Sequence, residues 1–197
     1  MKADVVVLGG SAAGVTCALT ARRHYPDKRV LLVRREEKVL VPCGIPYVFG
    51  TVGATDKNLI PDQLLIDQDI DRRIGEAVEL EPHMAQLRLS DGEVIQYERL
   101  VLATGSLPKM PPLPGVNLPN VFPVLKDVHH LNKIQQVLSG VRNVVVLGGG
   151  FISTEMAQEC RKLSGKSVTI LVSGPQCMAL SLDPEFCQAA QSLLEAH

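Results

Sequence analysis

The run Val5-Val6-Val7-Leu8-Gly9-Gly10 returns letter for letter as Val144-Val145-Val146-Leu147-Gly148-Gly149, and no other feature of the 197 residues constrains the fold as much. A four-residue apolar run suits a parallel strand buried on both faces, and small residues directly after it mark a sharp turn from strand into helix. Ala12 to His24 and Phe151 to Ser164 supply those helices. A second apolar run closes each copy at the same distance from the glycines, Arg29-Val30-Leu31-Leu32-Val33 in the first and Val168-Thr169-Ile170-Leu171-Val172 in the second. The sequence therefore predicts an α/β chain containing two βαβ units.

Between the copies the pattern changes. Ala77 to Leu89 and Glu93 to Tyr97 alternate in polarity around the turn pair Asp91-Gly92, which predicts a small antiparallel β-meander over about 76–97. It leads into a separate buried strand, Leu100-Val101-Leu102-Ala103, ending at Thr104-Gly105. Pro108, Pro111, Pro112 and Pro114 then stiffen a segment that suits neither helix nor central strand, so the boundary is expected there, with domains 1–110 and 111–197. Asp127 to Ser139 and the residues after Asp183-Pro184-Glu185 predict two further helices. The second unit has only two parallel strands, too few to cover both faces of a sheet well, so a larger parent protein is expected.

Composition narrows the function. With 46% hydrophobic and 21% charged residues the chain folds, and 20 Lys+Arg against 21 Asp+Glu leave a charge of −1, which excludes general attraction to nucleic acid or an anionic membrane. The apolar runs are strand-length, and Met1-Lys2-Ala3-Asp4 is no secretion signal, so a cytoplasmic location is expected. Five scattered cysteines without a CxxC pair make neither a disulfide framework nor a zinc site, and His129-His130 lacks further ligands.

Gly9-Gly10-Ser11-Ala12-Ala13-Gly14 has dinucleotide-loop spacing: the first glycine permits the turn, a small middle residue admits a pyrophosphate to the backbone, and the last lets helix and strand pack closely. Helix N–H groups then hold the anion without net positive charge. Gly148-Gly149-Gly150-Phe151-Ile152-Ser153 repeats the spacing with serine last. Where such sites usually carry a ribose-binding acid after the second strand, this chain has Arg34 and Ser173. Glu36 or Glu37 can replace the first acid, and Arg34 reads either as a cover for the adenine face or as a solvated charge.

Together with Cys43-Gly44-Ile45-Pro46-Tyr47, Ala103-Thr104-Gly105 and Gly148 to Glu155, the first loop resembles the flavin-dependent pyridine nucleotide-disulfide oxidoreductases. The branch with a single active-site cysteine, containing coenzyme A disulfide reductases, NADH oxidases and NADH peroxidases, is most similar. The resemblance implies two Rossmann-like units. It further implies FAD on Gly9, Gly10, Ser11, Ala12, Ala13, Gly14, Arg34, Ala103, Thr104 and Gly105, and NAD(P)H on Gly148, Gly150, Phe151, Ile152 and Ser153. Cys43 is then expected to receive electrons from NAD(P)H through FAD and to reduce a small-thiol disulfide, persulfide or polysulfide such as coenzyme A disulfide. A cysteine opening a helix faces the positive end of its dipole, which favours the thiolate; Cys17, Cys160, Cys177 and Cys187 read as packing residues. No second cysteine closely follows Cys43, and Ala12 stands where oxidase and peroxidase members are implied to carry a histidine, which leans toward the thiol-reducing members. Arg22, Arg23 and Tyr47 are candidate substrate residues, the arginines for coenzyme A phosphates or else as a solvated helix end. A homodimer is implied for the full-length protein, and weak or no FAD binding and no turnover for these 197 residues alone. The alternatives are an NADH oxidase reducing oxygen and a non-catalytic nucleotide-binding fragment or redox sensor.

Overall fold

In the computed structural model, which describes residues 1–196, the uncharged runs of branched residues are strands and the glycine turns lead into helices. The first half runs β1 (Lys2–Leu8), α1 (Ala12–His24), β2 (Val30–Arg34), α2 (Ile45–Val48), α3 (Gln63–Ile66), β3 (Asp71–Ile74), β4 (Ala77–Glu81), β5 (Gln86–Leu89) and β6 (Val94–Leu102). There follow α4 (Val128–Gly140), β7 (Asn143–Leu147), α5 (Phe151–Arg161), β8 (Ser167–Leu171) and α6 (Pro184–Glu195). By internal contacts the chain forms two units, one of Met1–Pro42 and Leu59–Lys126, the other of Cys43–Asn58 and the residues from Asp127 onward.

The first unit is built on a six-stranded sheet of order β3-β2-β1-β6-β5-β4. β1 pairs in parallel with β2 and β6, whereas β5 is antiparallel to β6 and β4 to β5. Successive side chains point to opposite faces, so Val6, Leu31 and Val33 join one buried cluster and Val7, Val30 and Leu32 another. The meander is thus part of the main sheet. Its last strand runs on without a break into Leu100-Val101-Leu102: β6 is one strand of nine residues, paired with β5 over Val94, Ile95 and Gln96 and with β1 from Gln96 to Leu102.

The second unit holds the two-stranded parallel sheet β7-β8. Asp127 caps α4, its Oδ1 accepting from the His130 N–H at 2.7 Å, and Leu131, Ile134 and Leu138 form the helix's buried stripe. Helix α5 ends at Arg161, three residues earlier than predicted. The division expected after residue 110 falls after Lys126 instead, and Lys126 Nζ donates to Ser106 Oγ at 3.2 Å within the first unit. Residues 43–58 belong with the second unit because side chains of α4 and α5 hold their backbone, an association that no local pattern announces. Among the described residues no helix is long and apolar enough to cross a membrane.

Candidate functional site

The two glycine loops trace almost the same backbone. Gly9 and Gly148 sit at φ +123° and +124°, a region L side chains avoid, and two residues later Ser11 (φ −86°, ψ −169°) and Gly150 (φ −88°, ψ −176°) begin the helices from extended backbone. Neither residue caps its helix with a side chain. The first intrahelical bonds are Val15 N–H to Ser11 and Thr154 N–H to Gly150, so the amides of 12–14 and 151–153 precede them and can meet an anion.

In the first unit this loop lies at the carboxyl ends of adjacent parallel strands, where ligands of open α/β sheets bind. Gly9 N–H donates to the Val33 carbonyl and Ala103 N–H to the Leu8 carbonyl, each at 2.8 Å, which brings Gly9, Arg34 and Ala103 together. A Cβ on Gly9 would fall on the Ala103 carbonyl and one on Gly14 on the Gly9 carbonyl, so both positions exclude any side chain. The second loop is looser. The Ser153 hydroxyl lies beside Gly148, 2.6 Å from where a Cβ would stand, so serine is accommodated where the first loop needs glycine; Gly150 faces open space.

Cys43 belongs to the second unit, in the 3₁₀ turn Pro42–Gly44 that leads directly into α2. Ile45, Pro46, Val48 and Phe49 are buried, while Cys43 and Tyr47, four residues apart, are exposed. Among the described residues Cys43 is the exposed cysteine; Cys17 is half-buried, and Cys160, Cys177 and Cys187 are buried. The helix after Cys43 is a single turn, so its dipole is much smaller than that of a helix of several turns.

A family model described as pyridine nucleotide-disulphide oxidoreductase matches residues 3–197. The chain belongs to that family. It is 33% identical over 204 residues to the NAD(P)H coenzyme A polysulfide/persulfide reductase of Pyrococcus horikoshii, covering all of this chain and 45% of that protein. It is 30% identical over 203 residues to an NADH oxidase of Methanocaldococcus jannaschii, covering 96% and 44%. Among solved structures, an NAD-dependent persulfide reductase from A. fulgidus matches all of this chain and 38% of its own at a TM-score of 0.88 and 26% identity. The chain thus spans less than half the length of these relatives.

The pyridine nucleotide-disulphide oxidoreductases are NAD(P)H-dependent flavoenzymes that bind FAD. The first loop fits the nucleotide portion of such a cofactor: its glycines leave the backbone bare and its helix amides are uncapped. At the end of β2 the structure corrects the reading of Arg34 as a solvated charge. Its side chain is 1% exposed and lies along Gly10, with Nη1 and Nη2 on the two oxygens of Asp62 at 2.7 and 3.0 Å and Nη2 also on the Glu37 carbonyl at 2.8 Å. Burial lowers the guanidinium's pKa, opposed by the charge of Glu36. Arg34 Nε is the buried side-chain polar atom left without a partner among the described residues. Where other dinucleotide sites place an acid that accepts from the ribose, this chain places a side chain that can only donate.

Asp62 also pairs with Arg72, and its removal leaves Arg34 buried without its counter-charge. Asp62→Ala is expected to destabilise the first unit by about 3 kcal/mol, measured by urea unfolding. Arg22 is corrected as well. Its Nε donates to the Gln68 carbonyl at 3.1 Å and its Nη1 to those of Pro26 and Lys28 at 2.8 and 3.1 Å, while Nη2 pairs with Asp69 at 2.9 Å. It is therefore a strut closing the end of α1 rather than a solvated end. Arg23 is exposed.

Two residues that the sequence reading did not single out matter here. Asp62 lies 28 positions from Arg34, and nothing local pairs them. Glu159 had a readable signal: it follows Met156 by three on the buried stripe of α5, and Lys162 follows it by three. Its side chain is 2% exposed. Oε2 accepts the Thr51 N–H at 2.6 Å, and Oε1 accepts the Thr51 hydroxyl at 3.1 Å and Lys162 Nζ at 2.6 Å. Lys162 Nζ also donates to Thr51 Oγ1 at 2.7 Å. Burial pushes the Glu159 carboxyl up, but Lys162 and the two Thr51 donors outweigh it and leave the pKa below the ordinary glutamate value. A lowered folded-state pKa stabilises most above the unfolded value. This contribution should therefore be complete at neutral pH and lost as pH falls through the lowered value, which acid titration of unfolding in wild type and Glu159→Gln checks.

Proposed function

We propose that the chain carries the nucleotide-binding and thiol-bearing portion of an NAD(P)H-dependent flavoenzyme that reduces a disulfide, persulfide or polysulfide of a small thiol such as coenzyme A through Cys43. The supporting observation is an exposed thiol on a turn whose other residues are mostly buried, in a chain that also carries two matching anion cradles. The cradle at Gly9 to Gly14, with Arg34 and Ala103-Thr104-Gly105, is assigned to FAD, and the one at Gly148, Gly150, Phe151, Ile152 and Ser153 to NAD(P)H. FAD bound there supplies the two-electron relay between NAD(P)H and sulfur. Cys43 Sγ, as thiolate, attacks one sulfur of the substrate; the S–S bond breaks, the other sulfur leaves as a thiolate or hydrosulfide, and a mixed disulfide remains on Cys43. Two electrons from NAD(P)H then release the bound thiol and restore Cys43. Tyr47, exposed four residues after Cys43, is assigned to the arriving substrate, with Arg23 a further candidate.

Activity is assigned to a homodimer of chains of the relatives' length, and the 197 residues alone are expected to be colourless and inactive. A flavin absorbance band in the purified chain would contradict that. The likeness to an NADH oxidase favours a second reading, oxygen reduction; NADH-dependent oxygen consumption without added disulfide separates the two. The second cradle has its own test. Gly150 has negative φ and open space, so Gly150→Ala should cost about 1 kcal/mol of stability or less. Its methyl group enters the space assigned to the phosphates, so NAD(P)H affinity should fall on the order of tenfold, read by nucleotide titration beside a thermal melt.

A further inference from the structure

We propose that Glu159 is a positioning residue for Cys43: by gripping Thr51 it fixes the turn that presents the thiol. This rests on the reading of Cys43 as the redox thiol. The thiol-bearing segment has little regular structure of its own, the 3₁₀ turn Pro42–Gly44, one turn of helix at Ile45–Val48 and a 3₁₀ turn at Thr55–Asn58. Its shape is therefore set by what holds it. From α4, Gln135 Nε2 donates to the carbonyls of Val48 and Gly53 at 3.0 and 3.2 Å, and Asn132 Oδ1 accepts from the Thr55 hydroxyl at 2.8 Å. From α5 and the residue just after it come two charged holds on Thr51, the buried Glu159 carboxylate and the more exposed Lys162, whose Nζ reaches Thr51 Oγ1, and charge-assisted hydrogen bonds are the stronger kind.

The grip is tight and leads to the thiol through consecutive bonds. A Cβ on Gly50 would stand 2.6 Å from both the Glu159 carbonyl oxygen and its Oε2, so the carboxylate lies directly against the Gly50-Thr51 backbone. Val52 N–H, next in the chain, donates to the Tyr47 carbonyl at 2.8 Å, as does Gly50 N–H at 3.3 Å, while Phe49 N–H donates to Pro46 at 3.2 Å. Thr51 is thereby bracketed by residues bonded to α2, whose first turn Cys43 precedes by two residues. On the other side of Cys43, Gly44 packs against the side-chain amide of Asn58 with no room for a Cβ. Freed from Glu159, Thr51 and the 47–52 turn can shift, and the thiol with them.

The test uses two readouts on Glu159→Gln, which keeps the side chain's size and one acceptor oxygen but removes the charge, and on Glu159→Ala. In the 197-residue chain, hydrogen exchange of the Thr51 amide is expected to quicken by about tenfold in Glu159→Gln and more in Glu159→Ala. In the FAD-loaded enzyme of the relatives' length, disulfide turnover should fall severalfold, while ferricyanide reduction by NAD(P)H, which needs no thiol, stays at the wild-type rate. Unchanged Thr51 exchange, unchanged disulfide turnover, or an equal fall with both acceptors overturns the proposal. If Glu159→Ala does not fold, Glu159→Gln decides alone. Failure of the underlying reading is recognised separately, by disulfide turnover that survives Cys43→Ser.

Discussion

In the FAD-loaded enzyme of the relatives' length, Cys43→Ser is expected to lower disulfide and persulfide turnover by on the order of a thousandfold or more, while leaving the fold intact. A serine hydroxyl at this position differs from the thiol by one atom, and the position is exposed, so no packing is lost. What disappears is the nucleophile. At neutral pH an unassisted hydroxyl supplies almost no anion to attack sulfur and cannot form the mixed disulfide. The same variant should still pass electrons from NAD(P)H to ferricyanide, because the nucleotide cradles lie elsewhere in the chain. The measurement is NAD(P)H oxidation with coenzyme A disulfide beside NAD(P)H oxidation with ferricyanide. Disulfide turnover near the wild-type rate would remove the thiol from the mechanism; loss of both rates would place Cys43 in cofactor binding instead.

The parts of the molecule that the sequence announced are those whose signal is local. Both βαβ units show in the repeat because a buried parallel strand, its glycine turn and the helix behind it leave a contiguous pattern; α1 lies where that pattern puts it, and α5 begins where it should but ends three residues short. β3 gave no such signal. Asp71-Arg72-Arg73-Ile74 looks like a charged loop, yet it pairs with β2 as the sheet's edge, where charged side chains are tolerated and discourage further pairing. The continuity of β6 was hidden by Glu98-Arg99, a polar interruption in a strand that changes partners along its length. The thiol segment's membership of the second unit was illegible for a stronger reason: it depends on Glu159 and Thr51, 108 positions apart. The same holds for Arg34, whose pairing with Asp62 is tertiary. In each case the residue type was readable and its partner was not.

Gly9→Ala should be among the most damaging single substitutions in the first unit, and the reason is steric before it concerns any ligand. The backbone at Gly9 has φ +123°, where an L side chain is strained, and the added methyl would land on the Ala103 carbonyl, so β1 and β6 would have to part at their carboxyl ends. That separation opposes the Ala103 N–H to Leu8 bond and the apolar packing behind it. The expected destabilisation is about 2–4 kcal/mol, read from the midpoint of urea unfolding. The repeat supplies an internal control: Gly148 has the same φ, but its nearest obstacle is the movable Ser153 hydroxyl rather than a backbone carbonyl. Gly148→Ala should therefore lose only the part due to backbone strain, about 1–2 kcal/mol. Equal losses at the two positions would show that dihedral strain alone governs these turns, and that the close approach of β6 to the first loop contributes nothing measurable.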